Sequence, residues 1–393
     1  MNDVYNLHQA ANDELIKGNE EKAIEIYTKI VELAPGDETA LSQLMDLYLE
    51  RDKFMYYLTR ANVNIVQNKY EHAINDVKKA LNLESQSVDA LRKLGRLYKV
   101  TGKNLRAVDE FLKIIDIDAT QKDAYIELID LYSKEDSPES AIGIAKKALA
   151  QFSNDSEFKN ILANLYFKMN DYKNALEVVE DDFLKTKILL QDEQNDRARE
   201  ILDKIKEDKN LYKEQNKEQL ATYYLLEAQY RYNKQEFEQA LDFVEKYTDI
   251  SLPNALSFQM KALIYEGMED EFKSAYNWGY CYKVRKRFDE AIVEFTHAHN
   301  ANPNDKNTLI ELANLYANNG EKFASMEYWK KVYEIDNDKR AGQILGDFYY
   351  EQGDLKLAQY YGKVIEKSSQ KEATYEDEGL LEKIISFFSK KKH

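Results

Sequence analysis

The sequence predicts an all-α chain, a solenoid of antiparallel helix hairpins, and three observations carry that prediction. Small and large apolar residues recur at helical spacing from one end to the other. Only four prolines and thirteen glycines interrupt the 393 residues. A charged fraction of 32%, with abundant Leu, Ala, Glu and Lys, suits long helices that keep one wet face, and the 29 tyrosines suit sites that want a ring with a polar tip. No part of the chain reads as a β domain.

The unit is clearest at residues 88–121, VDALRKLGRLYKVTGKNLRAVDEFLKIIDIDATQ. Leu91, Leu94, Gly95 and Tyr98 share one face of a first helix, Gly102 breaks it, and Ala107, Phe111 and Ile114 share one face of a return helix. Gly95 and Ala107 are expected where the two helices touch, because a bulky side chain there would push the hairpin apart. One hairpin cannot bury its own apolar face, so neighbours must stack. The order of large, small, aromatic and turn residues resembles the tetratricopeptide repeat (TPR), a unit of roughly 34 residues. That resemblance implies a right-handed superhelix whose first helices line a groove for a partner's extended segment or helix.

Taken in order, a first repeat spans 4–37, with Ala11, the turn at Gly18, Ala23, Tyr27 and the stop at Pro35-Gly36. Residues 38–53 read as a first helix without a return partner. Regular repeats follow at 54–87, 88–121 and 122–155, the last with Pro138 in the tolerated first turn of its return helix. The repeat beginning at 156 slips register at Glu180-Asp181-Asp182. A shorter pair follows, and the apolar-poor run 207–219 is expected to be a hinge or an elongated helix end. The second half repeats the plan: a repeat at 221–254, a solitary helix at 255–267, then repeats at 272–305, 306–339 and 340–367. An unpaired helix after the first repeat of each half suggests a tandem duplication. The expected divisions are an N-terminal array, 1–178; an irregular pair, 179–220; a C-terminal array, 221–367; a polar linker, 368–378; and an amphipathic basic helix, 379–393.

A formal charge of −16 opposes nucleic-acid binding, since phosphate backbones are held by Lys and Arg. Cys281 is the only cysteine, so no internal disulfide and no thiolate zinc site can form. It is read as a small packed residue beside Trp278 and Tyr282. The N-terminus shows no basic run before an apolar core, and no apolar run is long enough to span a bilayer, so a cytoplasmic protein is expected. His8, His72, His297, His299 and His393 are scattered, and His297 and His299 point to different helix faces. No catalytic constellation, cofactor site or metal site is expected.

Function is therefore expected on the groove-facing residues, which include His8 and Asn12, Leu58 and Asn62, Arg92 and Arg96, Ile126 and Asp130, Asn160 and Asn164, Tyr276 and Tyr280, Ile310 and Asn314. Asn12, Asn62, Asn164 and Asn314 recur at one repeat place, where an amide can donate to and accept from a peptide backbone. Arg92, Arg96 and Lys99 put three cations on one helix face, suited to an acidic peptide or a C-terminal carboxylate. The clamp by which some TPR members hold chaperone tails starts from a lysine where this chain has His8, so that clamp is not expected.

The expected role is a protein-interaction scaffold or adaptor for a protein or peptide partner. One alternative is a peripheral membrane assembly factor docked on the inner face of a membrane; another is a non-catalytic subunit of an enzyme complex. The membrane alternative rests on GLLEKIISFFSKKKH, where Leu380, Leu381, Ile384, Ile385 and Phe388 form an apolar stripe, Phe387 widens it, and Lys390, Lys391 and Lys392 follow. The other reading of the same helix, and the one ranked ahead, is a cap that covers the apolar end of the last repeat.

Overall fold

The structure is a computed structural model that describes residues 2–363. Among the described residues there are twenty-two α-helices, one 3-10 turn and no strand. The expectations placed on 368–378 and 379–393 lie outside the described residues. The chain divides into two compact units, meeting between Asp192 and Glu193.

In the first unit, α1 (Asn2–Ile16) pairs with α2 (Glu20–Leu33), and α3 (Glu38–Tyr48) packs on α2 before it and on α4 after it. Hairpins then follow as α4 (Lys53–Val66) with α5 (Tyr70–Leu83), α6 (Val88–Val100) with α7 (Asn104–Ile117), and α8 (Lys122–Lys134) with α9 (Pro138–Gln151). The unit continues with α10 (Ser156–Lys168) against α11 (Tyr172–Val178) and ends on α12 (Asp182–Gln191).

The second unit opens with α13 (Asn195–Glu207) and the 3-10 turn Glu214–Asn216. It then builds hairpin α14 (Lys217–Asn233) with α15 (Phe237–Ser251), followed by α16 (Ala255–Gly267), which packs on α15 and on α17. Three more hairpins are α17 (Glu271–Val284) with α18 (Phe288–Ala301), α19 (Lys306–Asn318) with α20 (Lys322–Asp336), and α21 (Lys339–Glu351) with α22 (Leu355–Tyr360). The solitary helices read at 38–53 and 255–267 are thus α3 and α16, each wedged between two hairpins.

Local chemistry sets the helix ends. Asp37, Ser87, Asp155, Asp305 and Asp338 each accept a backbone N–H of the first helical turn that follows, filling a bond the helix cannot make for itself. The turn inside a hairpin needs one left-handed residue: Gly102 takes it at φ 70°, while Lys286 takes it at φ 60° despite its Cβ.

The close-contact expectation at Gly95 holds, with a different counterpart. A Cβ on Gly95 would lie 2.9 Å from the Phe111 ring, and one on Gly279 would lie 2.8 Å from the Phe295 ring. The return helix presents an aromatic face to the glycine, and the fully buried Ala107 sits a turn earlier.

The register break at Glu180 also has a cause. Asn160 Oδ1 accepts the backbone N–H groups of Glu180 and Asp181, both at 3.0 Å, which ends α11 early and starts α12 with Asp181 as its cap. The run 207–219 folds as turns and the 3-10 segment, with Leu211 buried, and extends α14 to begin at Lys217.

Candidate partner-binding faces

In the first unit the side chains of successive first helices meet across α4, α6, α8 and α10. The three cations expected on one face of α6 are there, and each already has carboxylate neighbours. Arg92 donates from Nε to Asp123 Oδ2 at 2.6 Å, from Nη1 to Asp89 Oδ1 at 2.7 Å and from Nη2 to Gln121 Oε1 at 2.6 Å. Lys99 bonds Glu127 at 2.5 Å and Asp130 at 2.6 Å. Burial opposes the Lys99 charge, but these two hydrogen bonds outweigh it and hold its pKa above the usual lysine range. Arg96 is the loosest, 3.8 Å from Asp123 and 3.5 Å from Glu127, with 56% of its side chain exposed. An acidic ligand would compete here with resident carboxylates.

The asparagines divide. Asn12 accepts from the Tyr27 hydroxyl at 2.7 Å, Asn62 accepts from Lys93 Nζ at 2.6 Å, and Asn160 holds the two backbone N–H groups already described. Asn160 has filled both lone pairs of its carbonyl oxygen inside the fold, while Asn12 and Asn62 have each used one. Asn164 is exposed and Asn314 half-buried. Lys93, which shares α6 with these cations, donates to the Asn62 amide; burial, with Arg96 adding to it, pushes its pKa below the usual lysine range. His8 bonds Asp37 at 2.9 Å, and Leu58 is buried. Ile126 is half-buried, while Asp130 accepts from both Lys99 and Lys134.

In the second unit the corresponding face is aromatic. Tyr276 and Tyr280 of α17 lie edge-to-face with ring centroids 5.0 Å apart, and both pack edge-on against Phe295. Phe258, from the wedged helix α16, stacks on Tyr280 at 5.1 Å and 18°. The Tyr280 hydroxyl donates to Glu311 Oε1 of α19 at 3.0 Å, and Lys283 bonds the other oxygen of the same carboxylate. Burial pushes the Tyr280 hydroxyl pKa far up, with Tyr276 and Glu311 adding to it. Phe258 and Glu311 were missed in the sequence; Ile310, one residue before Glu311, is half-buried.

Over residues 48–181, which hold α4 to α11, the chain matches the family model described as the Tetratricopeptide repeat protein 21 ARM repeat. That stretch is a TPR-type repeat array. Among solved structures, the chain is similar to a tetratricopeptide repeat protein from Parabacteroides merdae, at 14% identity, covering 81% of this chain and 100% of that one, with a TM-score of 0.35. It is also similar to the MamA protein at 13% identity, 74% and 94% coverage and a TM-score of 0.28. The Naa15/Naa10 structure bound to HypK-THB matches at 12% identity, 91% and 67% coverage and a TM-score of 0.35. At these identities the likeness says nothing about what this chain binds.

The remaining residues read for chemistry divide between the packed core and the surface. Cys281 is fully buried with Sγ 3.4 Å from the Ala255 carbonyl, burial raises its thiol pKa, and Trp278 stacks on Tyr282. His297 is exposed near Glu294, whereas His299 is half-buried beside Lys331 and Tyr328. Among the described residues no three His, Cys, Asp or Glu side chains gather as a metal site, and no helix is long and apolar enough to cross a membrane.

Proposed function

We propose that this chain is a scaffold or adaptor, without chemistry of its own, that holds a segment of a protein partner on the first-helix faces of its TPR hairpins. The observation that carries this reading is the Phe258–Tyr276–Tyr280 cluster, in which neighbours hold half-buried rings in place before any partner arrives. Rings fixed in this way present area and a hydroxyl at little entropic cost, which is why tyrosine concentrates at interfaces. In the first unit Arg96 and the exposed Asn164 are the groups with most left to offer a ligand.

The test is copurification on the tagged full chain, wild type against Tyr276→Ala/Tyr280→Ala, with helicity checked by circular dichroism. Loss of the partners from a folded double variant is the expected result. An unchanged partner set would overturn the assignment to this face.

A second reading rests on the sequence of 379–393, an apolar stripe followed by lysines, which favours weak and reversible contact with anionic lipid. Flotation with anionic and neutral vesicles tests it, comparing the full chain with one ending at Ser369. Equal flotation of the two chains would sink it.

A further inference from the structure

In α14 the chain puts charge where its other hairpins put apolar packing. Glu227 and Arg231 occupy the repeat places held by Leu94 and Tyr98 in α6, Leu312 and Tyr316 in α19, and Leu345 and Tyr349 in α21. Glu227 is only 2% exposed. It accepts from Arg199 Nη1 at 3.1 Å and from the Tyr223 hydroxyl at 2.8 Å, with Arg231 Nε 3.8 Å away. A buried charge at a packing position lowers stability relative to a leucine unless its partners are complete.

A similar departure in α4 shows what completion looks like. Arg60 and Asn64 stand at the same two repeat places, and both grip the buried Asp76 of α5. The remaining edge of the Arg60 guanidinium donates to Tyr56 at 3.0 Å, so the network is closed.

The α14 network is open. Arg199 Nε and Arg231 Nε are buried and find no acceptor among the described residues, so neither guanidinium has its full set of partners. The same side chains line a cleft of about 480 Å³ between α13, α14 and α15, a size suited to a small ligand or a few atoms of a larger one. Tyr212, Tyr224 and Phe243 wall it, and Tyr212 comes from the 207–219 run that lengthens this repeat. Four cations, Arg199, Arg231, Lys206 and Lys246, line the cleft against the carboxylates of Asp203 and Glu227. Outside the lining, Glu236 holds Arg231 and Asp242 holds Lys246, while Lys206 has no carboxylate partner among the described residues. With Glu236 and Asp242 the four cations meet four carboxylates, so the cleft is locally neutral within a chain of net charge −16, and Lys206 beside the rings is the cation left to meet a ligand.

We propose that this cleft binds an oxyanion, a carboxylate or a phosphate monoester, carried on an aromatic or apolar body. The oxyanion meets the guanidinium edges and Lys206, and the body lies among the three rings. The cleft shares no lining residue with the Phe258–Tyr276–Tyr280 cluster, so it stands whether or not a partner binds at that cluster.

The experiment titrates the full chain with phenyl phosphate, benzoate and, as a neutral control, phenol, followed by calorimetry at low and high salt. Saturable binding of at least one anion, absent for phenol and weakened by salt, is expected; the tighter of the two identifies the oxyanion as phosphate or carboxylate. Lys206→Ala/Tyr212→Ala removes two exposed side chains and leaves the buried network intact, and binding should weaken about tenfold or more, a change of about 1.4 kcal/mol. Arg231→Lys keeps the charge but removes the planar fork and should weaken binding further. Failure of both anions to saturate the wild type, or undiminished binding by the folded double variant, would overturn the proposal.

Discussion

The first-helix faces of the two units are built from different materials on the same hairpin plan. In the first unit Arg92, Arg96 and Lys99 interlock with Asp123, Glu127 and Asp130 of the next repeat, so the face is a lattice of ion pairs. In the second, Phe258, Tyr276 and Tyr280 form a ring cluster anchored by one carboxylate, Glu311. The difference teaches that repeat geometry fixes which places face one another and leaves open what chemistry fills them. An ion-pair face is wet, screened by salt and already neutralised; a tyrosine face is rigid and indifferent to salt.

The largest expected effect strikes the ion pair of Asp76, the most deeply buried carboxylate among the described residues of the first unit. Asp76→Ala leaves Arg60 without its counter-charge, and urea denaturation should show a loss of about 3–5 kcal/mol. A loss below about 1 kcal/mol would mean that the pair behaves like a surface one.

Next comes Tyr280→Ala in the second unit, expected to cost about 2 kcal/mol, roughly half the loss of a fully buried aromatic. High salt should leave that loss unchanged, and a strong salt dependence would erase the contrast between the faces.

Lys99→Ala should cost only about 0.5 kcal/mol, since it removes a partly exposed pair, and salt should shrink the cost further. A deficit as large as that of Tyr280→Ala would show the lattice to be a stabilising device and not merely a neutralised surface.

The smallest effect is on pH dependence. Burial disfavours ionised Asp130, but hydrogen bonds from Lys99 and Lys134 outweigh it and hold its pKa below the usual carboxylate value. A depressed folded-state pKa contributes stability above the unfolded pKa, lost as pH falls through the folded one, so the window lies below about pH 4. Asp130→Asn should lower stability slightly at neutral pH, where the ionised carboxylate contributes, and leave the acid end nearly untouched, so the acid limb of the profile flattens. An unchanged acid limb would show that the carboxylate is not coupled to folding.

The sequence alone determined the all-α hairpin architecture, the two wedged helices and the slip at Glu180, because these follow from spacing along a single helix and from turn residues, both of them local. It also placed Arg92, Arg96 and Lys99 on one face and Tyr276 beside Tyr280, since residues a turn apart on a helix must be neighbours. Only the tertiary structure decided what those faces meet. Lys99 finds Glu127 and Lys283 finds Glu311, each 28 residues on, and Arg92 finds Asp123 and Tyr280 finds Glu311, each 31 residues on. Those offsets were present in the sequence as charge complements, but their meaning depends on the tilt between neighbouring first helices, which no single helix encodes. Glu227 and Arg231 were likewise visible as polar intruders at packing places. That Glu227 meets Arg199 of α13, and that Tyr212 walls the cleft beside them, depended on how α13 and the 207–219 run pack on α14, which no single helix encodes.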